Sequence, residues 1–524
     1  MPKVLISDKL SPQAIDIFKQ AGVEVDVKTG LSPDELKAII GDYDGLAIRS
    51  ATKVTPEILA AATKLKVIGR AGIGVDNVDV PAATARGVIV MNTPFGNSIT
   101  TAEHTISLMM ALARQIPQAN ASTHASKWEK NKFMGVELYG KVLGMIGCGN
   151  IGSIVADRAQ GLKMKVIVSD PFLSAERAVD LNVEKVELPD LLARADFITL
   201  HTPLNDTTRN ILNKENLARC KKGVRIVNCA RGGLIDELAL KDAIDSGHVA
   251  GAALDVFEKE PAENNPLFGL ENVVCTPHLG ASTTEAQENV AVQVAEQMSD
   301  YLMSGAVTNA INMPSVSAED AKKLKPYLEL ADKLGSFAGQ LTETGLQSVT
   351  IEYEGRVGNL NTKPLTAVAL QGLLKPLISS VNMVNAPVIA RERGIEVSET
   401  KRDGSGGYQS LIRITVTTDK RTRTIAGTVF AGQPRIVDLH GVKLEASLGA
   451  IMLYVHNDDK PGLVGGVGSL LGDHKINIAN FQLGRNDEHN DAVALIEVDQ
   501  EIDKSLLEKV AQLPNVKQAK LLRF

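Results

Sequence analysis

Through roughly the first 300 residues, short β-branched apolar runs alternate with longer segments of helix-like character. The runs are KVLISD, GLAIRS, LKVIGRAG and GVIVMN, then KVLGMIG, KVIVSD, FITLHTP, VRIVNCA, AGAALDVF and NVVCTP. Strand-like runs separated by helices predict parallel sheets with crossover helices, an α/β architecture. The apolar stretch from Thr100 to Ile116 follows the turn-rich MNTPFGNSITTAEH, whose hydroxyls suit a helix start. It predicts a buried helix linking two such sheets, with a first unit over 1–97 and a second over 98–282. The Pro-containing polar stretch INMPSVSAEDAKKLKP breaks the pattern and reads as a linker. A third unit of less obvious topology follows, over 315–446. From 450 to 524 the order is strand, turn, helix, strand, strand, helix, strand, which predicts a ferredoxin-like βαββαβ module.

A chain of 524 residues exceeds one ordinary core, so several domains are expected. With 44% apolar and 23% charged residues, the composition is that of a globular protein. The net charge of −6 offers no broad electrostatic footprint for nucleic acid, so any anion site must be local. Cys148, Cys220, Cys229 and Cys275 show no metal-type spacing, and no metal is expected. A reducing, cytoplasmic setting fits them. MPKVLISDKL enters a strand at once without an apolar leader core, and no run of about 18 apolar residues suggests a membrane span.

Candidate chemistry begins at KVLGMIGCGNIGSIVADRA, where Gly147, Gly149 and Gly152 form GxGxxG between a strand and a helix. Such glycines permit a tight turn, close approach of backbone to a pyrophosphate and close helix packing, while the helix N-terminus offers free amides. The spacing alone is weak, since a glycine-rich turn can be purely structural. The following strand KVIVSD ends in Asp170, where a carboxylate would accept from ribose hydroxyls and repel a 2′-phosphate, favouring NAD over NADP. The bland reading of Asp170 is a cap before Pro171. Near the C-terminus, PGLVGGVGSLLG has Gly466 and Gly468 but Leu471 at the third position, so it fails the same spacing test.

Three loops expected at the carboxyl ends of the second sheet each hold one suggestive residue: Arg231 in NCARGGLIDE, Glu260 in ALDVFEKEP and His278 in TPHLGAST. Ligands gather at that edge of an open α/β sheet. His278 suits proton abstraction from a hydroxyl, Glu260 would orient its imidazole, and Arg231 can clamp a carboxylate. Singly, each could be an ordinary loop residue. Together, GCGNIG, NCARGGLIDE, AALDVFEKEP and TPHLGAST resemble the D-2-hydroxy-acid dehydrogenase family over nearly the first 310 residues.

That resemblance implies catalytic Arg231, Glu260 and His278. It implies a Rossmann-type NAD domain inserted in a flavodoxin-like substrate domain, the latter completed by a returning helix within 283–310. It also implies NAD contacts from Asn150, Ile151, Thr202, Cys229, Ala230, Asp255 and Gly280. The whole chain resembles the family's long form, which adds an α+β intervening domain and a C-terminal ACT domain and oxidises (R)-3-phosphoglycerate to 3-phosphohydroxypyruvate, the first step of phosphorylated L-serine biosynthesis. Its two anionic ends would be held by Arg49 and Ser50 in LAIRSATKVT and by Arg70, Ala71, Gly72 and Gly74 in GRAGIGVDNVD. In relatives a cation in the segment KWEKNKF reaches the neighbouring subunit's site; Lys130 stands at that place, so self-association into a homodimer or homotetramer is implied. ACT domains bind an amino acid where two copies pair, and the positions matching an L-serine effector site are Asn457, Asp459 and Asn477. Two other readings stay open: a dehydrogenase of another D-2-hydroxy acid, and an NADH-sensing corepressor-like binding protein on the same scaffold.

Overall fold

The computed structural model describes residues 1–316, 318–343, 345–378, 380–404, 407–486 and 490–524. The first sheet has five parallel strands in the spatial order Glu24–Val27, Lys3–Ile6, Gly45–Ile48, Val67–Arg70 and Ile89–Met91, a flavodoxin-like 2-1-3-4-5 arrangement. The second is a seven-stranded parallel sheet. From one edge it runs Glu184–Lys185, Lys165–Ser169, Val142–Ile146, Phe197–Leu200, Val224–Asn228, Val249–Leu254 and Val273–Cys275. Its central reversal, where sequence order turns back beside Val142–Ile146, is the switch point at which a Rossmann sheet binds its dinucleotide.

Two helices connect these sheets. The expected buried helix forms over Ser98–Arg114 and ends because Gln115 takes a left-handed conformation (φ 50°), after which a second helix, Ile116–His124, sets off. It is buried on one face only: Thr101, Thr105, Leu108, Met109 and Leu112 pack inward, while Ile99 and Met110 are exposed. The expected burial thus holds for one face of this helix and not for the other. The returning helix spans Thr284–Ser304, capped by the Thr283 hydroxyl accepting from the Ala286 amide at 3.2 Å. Val290, Ala291, Val294, Ala295 and Met298 share a core with Val4, Ile6, Phe18 and Val67 of the first unit. Gly69 makes this docking possible, because a Cβ there would collide with Met298. Each such fully buried apolar side chain contributes about 1.5–3 kcal/mol.

The C-terminal 200 residues are built around one mixed sheet of ten strands. Its first part consists of Leu346–Gly355 paired in parallel with Glu396–Arg402 and antiparallel with Ser410–Thr418, continuing as a meander to Val442–Ser447. The second part has the ferredoxin-like order Ile478–Asn486, Asp491–Val498, Ile451–Asp458, Val516–Arg523. One face of that module carries its two helices, Leu463–Asp473 and Lys504–Ala511. The other face is covered: Met452, Tyr454, Val493, Leu495 and Leu522 join the core of Leu334, Phe337 and Leu341 from the helix Ala318–Leu341. The linker ahead of that helix includes Ser317, which lies outside the described residues.

This C-terminal body docks on the first unit through the segment 382–385. Asn382 donates to the Gly87 carbonyl at 3.0 Å and Asn385 to the Ala85 carbonyl at 3.1 Å, while Met383 and Val384 enter the first unit's core. Among the described residues no helix is long and apolar enough to cross a membrane.

Candidate active site

The glycine-rich turn leaves the strand Val142–Ile146 and enters the helix Asn150–Gly161, with Gly149 as its N-cap. The three glycines do different work. Gly147 adopts φ 92° and lies so close to the next strand that a Cβ would fall 2.5 Å from the His201 carbonyl. At Gly152 a Cβ would meet the Gly147 carbonyl at 2.7 Å, which keeps helix and strand in contact. Gly149 faces open space, with nothing within 4 Å of an added Cβ. The first amides of the helix, from Asn150, Ile151 and Gly152, have no intrahelical acceptor and carry the positive end of the dipole. An open cradle rimmed by free amides fits a pyrophosphate.

Asp170 closes one side of this turn. Its Oδ2 accepts from the Cys148 amide at 2.7 Å and its Oδ1 from the Phe172 amide at 2.8 Å, leaving lone pairs on both oxygens. Beneath, the half-buried His201 has its Nε2 3.0 Å from the Thr199 hydroxyl; desolvation pushes its pKa down to about 4, so it is a neutral support. Thr202 follows in the same loop, its amide beside Gly147.

His278 and Glu260 meet directly, Nδ1 to Oε2 at 2.6 Å. The second carboxylate oxygen of Glu260 accepts from the Phe257 amide at 3.0 Å. Burial works to raise the Glu260 carboxyl, but the bonds from His278 and Phe257 outweigh it and hold it below its ordinary value. His278 itself sits at φ 54°, a left-handed conformation uncommon outside glycine, in a turn that the backbone alone would not favour.

Asp255 stabilises that turn. Its carbonyl accepts from the His278 amide at 2.9 Å. Its Oδ1 accepts from the Leu279 amide (2.7 Å), the Thr276 hydroxyl (2.6 Å) and His104 Nε2 (3.1 Å), and its Oδ2 from the Gly280 amide (2.8 Å). Burial opposes ionisation of this fully buried carboxylate, yet the donors prevail and keep its pKa low. Oδ2 retains room for one further donor. From the helix Ser98–Arg114, Thr101 reinforces the turn by donating to the Gly280 carbonyl at 2.9 Å. Cys229 is buried at the adjacent strand end, and burial pushes its thiol up to about 12, so it is no nucleophile.

The Arg231 loop is stapled by buried Asn228, which accepts from the Ala230 amide (3.0 Å) and donates to the Arg231 carbonyl (2.8 Å). It crosses the Glu260 loop closely: a Cβ at Gly232 would collide with the Phe257 carbonyl. The Arg231 guanidinium reaches over to the first unit, lying on Gly74 and donating from Nε to Asp76 Oδ2 at 3.1 Å. Arg70 lies beside it against Gly72, whose φ of 143° and lack of a Cβ make the space. Burial, then the neighbouring Arg231 charge, pull Arg70 down to about 10, with Asp76 opposing. Its Nε is buried with no hydrogen-bond partner among the described residues. Gly72 is fixed by its amide donating to the Thr93 hydroxyl at 2.6 Å, next to the buried Ala71. Arg49 is anchored by its amide to Asp8 at 2.6 Å, beside exposed Ser50. Arg70 and Arg231 thus lie side by side, with Arg49 near enough for its charge to act on Arg70.

Other sequence-derived positions lie elsewhere. Lys130 is exposed in the loop after Ile116–His124, without contact to this cleft within one chain. That loop borders a groove of about 320 Å³ lined by Gln118, Ser122, Lys127, Lys132 and Phe133. In the C-terminal module, Asn457 is buried, donates to the Asp458 carbonyl at 2.6 Å and leaves its Oδ1 without a partner among the described residues. Asp459 is ion-paired through its Oδ2 with Arg485 at 2.7 Å. Asn477 donates to Asp499 at 2.6 Å. Sequence reasoning passed over His104, Asp76, Asn228 and Thr93. Asp76, within GRAGIGVDNVD, and Asn228, the first residue of NCARGGLIDE, stood near residues already marked.

Residues 106–280 match the model of the NAD-binding domain of D-isomer-specific 2-hydroxyacid dehydrogenases. Residues 323–440 match the D-3-phosphoglycerate dehydrogenase intervening domain, and 451–515 the ACT domain. The chain is 44% identical over 522 residues to a D-3-phosphoglycerate dehydrogenase of Synechocystis, covering 99% of this chain and 94% of the relative. A D-3-phosphoglycerate dehydrogenase of Methanocaldococcus jannaschii is also 44% identical, over 526 residues and 100% of both chains. Among solved structures, the TT0316 protein of Thermus thermophilus is similar at 34% identity with a TM-score of 0.55, covering 59% of this chain and 99% of that one.

Proposed function

The chain belongs to the D-3-phosphoglycerate dehydrogenase family, and from that premise we propose that His278 and Glu260 are its acid–base pair and Arg231 its substrate clamp. It is an NAD-dependent oxidoreductase that converts (R)-3-phosphoglycerate to 3-phosphohydroxypyruvate. The observation that carries the assignment of roles is the 2.6 Å contact between His278 Nδ1 and Glu260, on a loop in close contact with the one that bears Arg231. With Nδ1 committed, Nε2 is the nitrogen left to take the hydroxyl proton, and Glu260 complements the charge that results.

Bound NAD+ supplies the hydride-accepting nicotinamide; the open cradle at Gly149, the amides of Asn150 and Ile151, and Asp170 are the groups that would hold it. Arg231 binds the carboxylate and polarises the developing 2-oxo group, while Arg49 and Arg70 supply charge for the phosphate. The low pKa of Asp255 keeps it a hydrogen-bond acceptor throughout, steadying the turn that carries His278.

The ACT match supports an amino-acid effector, which the reading specifies as L-serine at Asn457, Asp459 and Asn477. Self-association is supported by Trp128, Met134 and Tyr139, exposed on and beside the segment bearing Lys130. The four free cysteines suit a cytoplasmic enzyme. The test is NADH formation from 3-phosphoglycerate by wild type and His278→Ala. An NADH-binding protein without turnover would refute the activity, and a variant of near wild-type kcat would refute the acid–base role.

A further inference from the structure

Asp76 stands on the loop after Val67–Arg70 of the first sheet, whereas Arg231 follows Val224–Asn228 of the second, so their 3.1 Å contact spans the cleft between two domains. Three features make this more than a surface ion pair. The guanidinium donors are unequally committed: Nε goes to Asp76 and Nη1 to the Ala230 carbonyl at 2.7 Å, leaving Nη2 without an acceptor among the described residues. The surface under Nη2 is Gly74, where any side chain would collide with Arg231 and approach Asp76 Oδ2 to 2.7 Å. Finally, Arg70 and Arg231 are mutually repelling cations, with Arg49 adding to the field and Asp76 opposing it. Arg231 is only 28% exposed, so without a counter-charge on the far side of the cleft, repulsion would drive its head toward water.

We propose that Asp76 is a positioning residue for the reaction: it holds Arg231 by Nε across the cleft, so that the substrate carboxylate is met by the Nη2 end of the guanidinium. The side-on approach through Nε is occupied, and a carboxylate bound end-on is presented in one orientation. The contact also ties substrate alignment to the relative placement of the two domains. This inference rests on the substrate role proposed for Arg231.

The test is a double-mutant cycle on the full-length enzyme with Asp76→Ala, Asp76→Asn, Arg231→Ala and the Asp76→Ala/Arg231→Ala pair, reading KM for 3-phosphoglycerate, kcat and NADH affinity. Because Asp76 is itself 74% exposed, the expected effect of Asp76→Ala is modest, a KM increase of about fivefold with kcat and NADH affinity within about twofold of wild type. Asp76→Asn keeps an oxygen that accepts from Nε and should restore most of the loss. On the Arg231→Ala background, Asp76→Ala should add nothing. An unchanged or lowered KM in Asp76→Ala overturns the proposal, since Asp76 would then be a bystander or a competitor of the substrate. So does a full additive effect without Arg231, or a loss of NADH affinity in both Asp76 variants. If Arg231→Ala alone leaves KM unchanged, it is the clamp role of Arg231 that fails.

Discussion

Replacing each glycine of the turn by alanine should separate cofactor binding from folding, because the three sites differ in what a methyl group would meet. At Gly149 the backbone has φ −75° and an added Cβ finds nothing within 4 Å. Gly149→Ala should therefore fold normally and gain about 0.4–1 kcal/mol from a less flexible unfolded chain. The methyl would nonetheless fill the cradle a pyrophosphate needs. Loss of close approach to the helix amides should weaken NADH at least about tenfold, equivalent to about 1.4 kcal/mol. Gly152→Ala places a methyl 2.7 Å from the Gly147 carbonyl and should cost about 1–3 kcal/mol through overpacking. Gly147→Ala combines a 2.5 Å approach to the His201 carbonyl with φ 92°, adding about 1–2 kcal/mol of backbone strain to a similar packing cost. The expected order of thermal stability is thus Gly149→Ala at or above wild type, then Gly152→Ala, then Gly147→Ala. Thermal melts without ligand and fluorescence titration with NADH measure the two quantities separately. A stable Gly149→Ala that binds NADH within twofold of wild type would show that the open face of Gly149 is not the phosphate cradle.

Glu260→Gln should retain NADH binding but lose kcat by about 10- to 100-fold, since the imidazole keeps a hydrogen-bond partner and loses its counter-charge; equal kcat in steady-state assays would exclude the pairing. Asp255 has a folded-state pKa below its unfolded value, so its ionisation stabilises the fold at neutral pH and that contribution is lost as pH falls through the folded pKa. The melting-temperature gap between wild type and Asp255→Asn should be full above about pH 5 and shrink on acidification below about pH 4; a gap that is constant with pH would contradict this. Asp170→Ser should raise KM for NAD+ and shift the NAD+ to NADP+ preference by about tenfold or more in initial-rate assays, because the carboxylate that would repel a 2′-phosphate is gone. Asn385→Ala removes bonds to the Ala85 and Ser380 carbonyls at a position 1% exposed. It should cost about 1–3 kcal/mol and accelerate proteolysis between the first unit and the C-terminal body, whereas unchanged cleavage would show that this contact does not hold the two together.

Much of this protein was legible before any coordinates. The alternation of short β-branched runs with helices implied two parallel sheets, and the C-terminal order of elements implied a ferredoxin-like module, because both are expressed in short-range periodicity and turn chemistry. The glycine spacing and Asp170 were readable for the same reason: a strand, a tight turn and a helix are consecutive in the chain. His278, Glu260 and Arg231 were nameable from local motifs, although nothing local says that two of them touch.

Other features had no local signature. The stretch Thr100–Ile116 read as a buried helix, but which of its apolar residues face water depended on where the sheets lie. Nothing local to Asp459 shows that Arg485 folds against it. His104 and Asp255 are 151 positions apart, and Asp76 and Arg231 155, so neither pairing leaves a trace in periodicity or spacing. By itself, then, the sequence determined which strand ends carry Asp170, Arg231, Glu260 and His278, since those follow from local geometry. Only the tertiary structure decided which charges face one another across the cleft, how Asp255 supports the strained His278 turn, and which glycine of the turn faces open space. These depend on contacts between segments brought together by burial of the cores beneath them.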